Sequence, residues 1–147
     1  MKEIADDLRQ EVAKTAPWLR TFWEDRTLRN RGAGKWIPKE ILGHLIDSAA
    51  NNHQRFVRGR FADPFTTPGY DQNAWVAIHA YRERPWTELV DIWAGLNLQV
   101  AAAMESVPAA RLQTKCTVGE SAPQTLEWLM RDYMRHLRHH LEQIFEE

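Results

Sequence analysis

The sequence predicts an all-α protein, an up-down-down-up four-helix bundle with a long crossover between its second and third helices. Three observations carry this. Apolar residues recur at three- and four-residue spacing in four segments, and nowhere do they alternate at length with period two. Each segment is long enough for a helix of about 20 residues, the size of a bundle member. The connection between the second and third segments spans about 26 residues, against the two to eight that join antiparallel neighbours. A connection of that length can return the chain to the end where helix two began, so that helices two and three run parallel.

The first segment runs from about Lys2 to Trp23 through Ile4, Leu8, Val12, Leu19 and Phe22, with Pro17 expected to kink or restart it. Arg31-Gly32-Ala33-Gly34 is the expected stop. The second helix begins at Pro38, a good first-turn residue, and reaches about Arg58, with Ile41, Leu45, Ala49, Asn52 and Phe56 on its buried side. The connection to Arg84 holds Gly59, Pro64, Pro68 and Gly69 as breakers, and its Phe61, Phe65, Tyr70 and Trp75 predict packing on the bundle. Asp71 to His79 has the character of a short helix. The third helix starts at Pro85, carries Leu89, Val90, Trp93, Asn97, Val100 and Met104, and stops at Pro108. Ser121 and Gln124 have capping-box spacing before a fourth helix through Leu126, Leu129, Met130, Tyr133, Leu137, Leu141 and Ile144. Of the tryptophans, 18, 23, 93 and 128 fall mostly to the core.

The 147 residues fit a single domain, 1–147, which needs neither disulfide nor metal merely to fold. Apolar residues make up 44% and charged residues 27%, an ordinary globular balance. The formal charge of −1 argues against a nucleic-acid partner, which demands a cationic surplus. A single cysteine, Cys116, forms no intrachain disulfide and suits a reducing, cytoplasmic setting. The acidic amphipathic start lacks the apolar core of a signal peptide, and no apolar run approaches the roughly twenty residues of a membrane span.

Three of the six histidines crowd into Arg135-His136-Leu137-Arg138-His139-His140. At about 100° per residue, His140 lies roughly 40° and His136 roughly 80° from the centre of the apolar stripe, and His139 about 140°. His136 and His140, one turn apart, therefore point to the seam together, and His139 points to solvent. Imidazoles at i and i+4 can share a divalent metal, although HxxxH is short and also arises by chance as two hydrogen-bonded histidines. A third ligand is available in Gly43-His44-Leu45-Ile46-Asp47, where His44 sits roughly 90° from its own stripe centre. Three histidines leave a coordination position open, which is the arrangement of catalytic metal sites. His53 and His79 are expected at the surface.

The segments Trp36-Ile37-Pro38-Lys39-Glu40-Ile41-Leu42-Gly43-His44-Leu45-Ile46-Asp47-Ser48 and Tyr133-Met134-Arg135-His136-Leu137-Arg138-His139-His140-Leu141-Glu142-Gln143-Ile144 resemble the second- and last-helix motifs of the DinB-like (damage-inducible) superfamily. Pro68-Gly69-Tyr70-Asp71-Gln72-Asn73-Ala74-Trp75 is similar to the crossover of one branch. The resemblance implies an up-down-down-up bundle, often a homodimer, holding a divalent ion such as Zn, Ni or Mn through His44, His136 and His140. It also implies kinship with bacillithiol S-transferases and mycothiol-dependent isomerases.

Around that site, Asp47 could accept the free ring N–H of His44 and Gln143 could do the same for His140. Surface polar contacts are the alternative for both. Asn51 and Arg55 continue the line of His44 and could meet a polar or anionic substrate group. Asn97 falls within an apolar stripe and either lines the site or pins the bundle's register. Tyr70 and Trp75 could wall the pocket, and Cys116, alone in a loop, reads as an ordinary thiol. The leading expectation is a metal-dependent enzyme, either a low-molecular-weight thiol S-transferase or a small-molecule hydrolase. The alternative is a stress-response protein that holds a metal or ligand without turnover. A DNA-associated role fits the charge balance poorly.

Overall fold

The computed structural model describes residues 1–146. Four long helices, α1 (Lys2–Leu19), α3 (Pro38–Gly59), α5 (Trp86–Glu105) and α6 (Leu126–Phe145), form the bundle. The connections hold two short helices, α2 (Glu24–Thr27) and α4 (Gln72–His79), and three strands, β1 (Phe65–Thr67), β2 (Lys115–Val118) and β3 (Gln124–Thr125). Among the described residues, no helix is long and apolar enough to cross a membrane.

Helix directions follow from side-chain pairs. Arg60 and Ser106, just past the ends of α3 and α5, are hydrogen-bonded at 3.0 Å, so these helices run parallel. Arg9 pairs with Glu105 and Arg20 with Asp91, which makes α1 antiparallel to α5. Arg138 reaches Asp7, and Phe145 stacks on Trp18, so α6 runs with α1. His44 meets His136 while Gly59 meets Leu126, so α3 and α6 are antiparallel. The topology is up-down-down-up, as the length of the crossover predicts.

The expected buried side of α3 is buried throughout, from Ile41 to Phe56. The first helix ends sooner than its apolar pattern suggests. Pro17 removes a backbone donor in the last turn, and the Thr21 hydroxyl donates to the Trp18 carbonyl at 2.7 Å as the chain turns. Phe22 then enters the core against Trp86, and Trp23 is left 66% exposed. Trp18 and Trp128 also keep an exposed face, so of the four tryptophans assigned to the core only Trp93 is fully enclosed. The start of α6 differs too. Thr125, not Ser121, accepts from the Trp128 N–H, because Gln124 is committed to β3.

The strands are two to four residues long, too short to leave a period-two signature. β1 pairs parallel with β2, and β2 antiparallel with β3. The crossover and the α5–α6 connection are thereby fastened to each other. α4 forms where Asp71 accepts from the Ala74 N–H at 3.0 Å.

Asn97 pins register. It is fully buried, donates to the Trp93 carbonyl at 2.8 Å, and accepts from the Tyr133 hydroxyl at 2.5 Å. Both ends of its amide are engaged inside the core, so the alternative that it lines the site to meet substrate is corrected. Asn97→Ala should cost about 1–3 kcal/mol, because it takes from the buried Tyr133 hydroxyl its hydrogen-bond acceptor. Thermal unfolding by circular dichroism checks this, with metal content expected to be unchanged. Gly43 is needed for a different reason: a Cβ there would lie 2.0 Å from the Tyr81 ring. Gly43→Ala should lower stability by about 1–3 kcal/mol through overpacking.

Candidate metal centre

The apolar stripes of α3 and α6 meet antiparallel, and each carries histidine at its edge. His44, His136 and His140 converge at the end of the bundle formed by the start of α3 and the last turns of α6. One ring nitrogen from each lies within 4.8 Å of the others. His44 is fully buried, His136 and His140 are half-buried, and His139 is exposed, which is the helical phase expected from sequence.

His44 Nε2 and His136 Nε2 are 3.1 Å apart. Two ligands of one tetrahedral ion with bonds of about 2.0–2.1 Å stand about 3.3–3.4 Å apart, so the spacing fits a shared cation. Burial lowers the His44 pKa to about 3, helped by the neighbouring His140 and His136. Burial lowers His136 to about 4, with His140 and His139 adding to it, and lowers His140 as well. The three rings are therefore neutral near pH 7 and offer lone pairs. The donor set of three neutral imidazoles fits a divalent metal ion.

The supporting contacts differ at the two sides. His140 Nδ1 lies 2.9 Å from Gln143 Oε1, so the amide oxygen accepts the Nδ1 proton and turns Nε2 toward the other rings. Gln143 in turn approaches His139 Nε2 through its amide nitrogen at 3.1 Å. The sequence expectation for Gln143 thus coincides with the geometry. Asp47 behaves otherwise. Its Oδ1 accepts from the Tyr81 hydroxyl at 2.6 Å and lies 3.0 Å from His79 Nδ1, while His44 Nδ1 is buried without a partner. The Tyr81 ring, seated over Gly43, captures the carboxylate that sequence reasoning aimed at His44. His79 is exposed as expected, yet it faces this buried carboxylate. Burial raises the Asp47 carboxyl above its usual range, and the bonds from Tyr81 and His79 oppose that rise.

Trp36 is a site residue that the helical spacing does not identify, and its ring lies 4.9 Å from that of His44 and 6.4 Å from that of His140. It is an apolar wall over the triad. No periodicity could reveal it, because it precedes α3. A cleft of about 640 Å³ runs past Trp36, Gln143 and His140, and another of about 390 Å³ runs from His136 to Tyr70, Asn52 and Arg55. Asn51 lines neither cleft, and its amide donates to the Asp47 carbonyl. Trp75 packs against Tyr70, one layer behind the cleft. Cys116 is buried in β2, and burial pushes its thiol up to about 11, which removes it as a nucleophile near neutrality.

The triad sets two expectations, one from its geometry and one from its pKa values. His44→Ala, His136→Ala and His140→Ala should each abolish tight metal binding, and His139→Ala should not, measured by elemental analysis after dialysis. The metal-free chain should also lose stability on acidification. Between the unfolded value of about 6.5 and the folded values near 3 and 4, the unfolded chain binds more protons, so stability rises with pH across that window. Melting temperatures should fall from pH 7 to pH 4.5, and His44→Leu should flatten the slope.

Comparison with known proteins bears on the whole chain. A protein of Geobacillus thermodenitrificans named "Putative metal-dependent hydrolase" is 26% identical over 146 residues, spanning 98% of this chain and 78% of its own. The solved structure of YfiT from Bacillus subtilis, titled "a probable metal-dependent hydrolase with an unusual four-helix bundle topology", superposes with a TM-score of 0.86 at 18% identity. That match covers 98% of this chain and 83% of YfiT and establishes a common fold. The DinB superfamily pattern matches residues 5–144, and the chain belongs to that superfamily.

Proposed function

We propose that the chain is a metal-dependent hydrolase of small molecules. The observation that carries this reading is the convergence of three neutral imidazole nitrogens within 4.8 Å, flanked by clefts of substrate size. The names borne by the Geobacillus and Bacillus relatives point the same way. A divalent ion, when bound, supplies Lewis acidity and lowers the pKa of water. His44, His136 and His140 would hold it and, being neutral, would leave its full positive charge available to the reaction. Gln143 fixes the tautomer of His140, and Trp36 keeps bulk water off one side. In hydrolysis the water oxygen bonds to the acyl carbon, the carbon–heteroatom bond breaks, and the departing group leaves with a proton.

The test is a screen of chromogenic esters and amides with the zinc-, nickel- and manganese-loaded protein, run beside thiol-plus-electrophile pairs. Hydrolysis should be lost on chelation, restored by metal, absent in His136→Ala and retained in His139→Ala. Transfer of the thiol with no hydrolysis would replace this reading with an S-transferase. Hydrolysis that survives complete metal removal would overturn it.

A further inference from the structure

Among the described residues, some buried or partly buried cations of this chain are matched by carboxylates, whereas Arg26, Arg29, Arg60 and Arg111 make no ion pair. Lys39 pairs with Glu24, Arg31 with Glu146, Arg9 with Asp6 and Glu105, and Arg84 with Glu88. Arg55 also makes no ion pair. It is half-buried, and its guanidinium meets only the Asn52 side-chain oxygen, at 3.4 Å. Burial lowers its pKa, the mark of a cation partly stripped of water without a carboxylate to compensate. A desolvated, unpaired guanidinium is costly to keep.

Its position gives that cost a use. Arg55 and His136 line the same cleft of about 390 Å³, which runs between α3 and α6 beneath Tyr70. Side chains on a helix lean toward its N-terminus, which for Arg55 is the direction of His44. The contact with Asn52, one turn nearer that end, agrees. Two acidic residues also line the cleft. Asp132 is engaged by Arg135, and Glu120 is exposed.

We propose that Arg55 is the docking point for a carboxylate on the substrate, placed so that the rest of the molecule extends along the cleft to the His136 end of the triad. The guanidinium fork matches a carboxylate with two parallel hydrogen bonds. One unpaired cation with acidic neighbours suits a single negative charge better than a phosphate dianion. The Asn52 and Ser48 side chains and the Tyr70 hydroxyl offer polar contacts between the two ends. This inference rests on the hydrolase reading, and it assigns the substrate class as a small acyl compound with one free carboxylate remote from the bond to be cleaved.

The test reads binding separately from turnover. Metal-free protein is titrated with the monomethyl and dimethyl esters of glutarate and adipate, following the Arg55 side-chain N–H resonance by NMR. The monoesters should bind roughly ten- to a hundredfold more tightly than the diesters, with the Arg55 resonance shifted. Arg55→Gln should erase that preference and leave the diester affinity unchanged. Arg55→Lys should keep part of it, and Arg131→Gln, outside the cleft, all of it. Equal affinity for mono- and diester, no binding by any probe, or a preference that survives Arg55→Gln would overturn the proposal. Inorganic phosphate competing more strongly than the monoesters would overturn the carboxylate assignment. Preference without hydrolysis in the metal-loaded protein would count against the hydrolase reading while upholding the subsite. Hydrolysis unaffected by Arg55→Gln would do the reverse.

Discussion

The antiparallel contact between α3 and α6 is what the rest of the molecule depends on. Neither helix carries a complete ligand set. His136 and His140 share a face because they are one turn apart, but the third nitrogen arrives only because α3 runs the opposite way and delivers His44 at the same level. That level is held by buried apolar side chains over the length of both helices, among them Leu45, Phe56, Leu126, Tyr133, Leu137 and Leu141. The triad is thus positioned by ordinary packing, at helix positions more rigid than any loop.

Grouping three imidazoles where all are at least half-buried has an electrostatic consequence. Burial makes each ring harder to protonate, and His140 and His136 add to this at His44, as His140 and His139 do at His136, so the cluster is held in the neutral state that metal coordination requires. The nearest buried carboxylate, Asp47, is turned to Tyr81 and His79 instead. The centre is consequently rich in neutral donors and poor in negative charge, which suits an ion meant to polarise a bound molecule.

Much of this was legible in the sequence, for definite reasons. Helical phase follows from residue spacing alone, which is why His136 and His140 could be separated from His139. Crossover length constrains direction, which is why α3 and α5 could be read as parallel. What stayed hidden depends on contacts between segments distant in the chain. Tyr81 lies 34 residues from Asp47, and only the bare backbone of Gly43 lets its ring approach. Trp36 reaches the triad from irregular chain before the helix. Asn97 could have faced the site or the core, and its partner Tyr133, on another helix, decided for the core. The early end of α1 left Trp23 outside, where apolar periodicity placed it inside.

The small sheet has a bearing on how such a molecule can change over time. β1 and β2 tie the crossover to the α5–α6 connection, the Gly119 N–H donates to the Thr67 carbonyl at 2.9 Å, and Gly69 and Gly119 pass so closely that a side chain on Gly119 would meet Gly69 at 3.4 Å. These two connections roof the cleft in front of Arg55, whereas the ligands stand on α3 and α6. The roof and the floor are therefore encoded in separate stretches of chain. A substitution at residue 69 or 119 can reshape which molecules enter while leaving the metal ligands untouched. In this architecture the shape of the cleft's mouth and the metal ligands can be inherited, lost or altered independently.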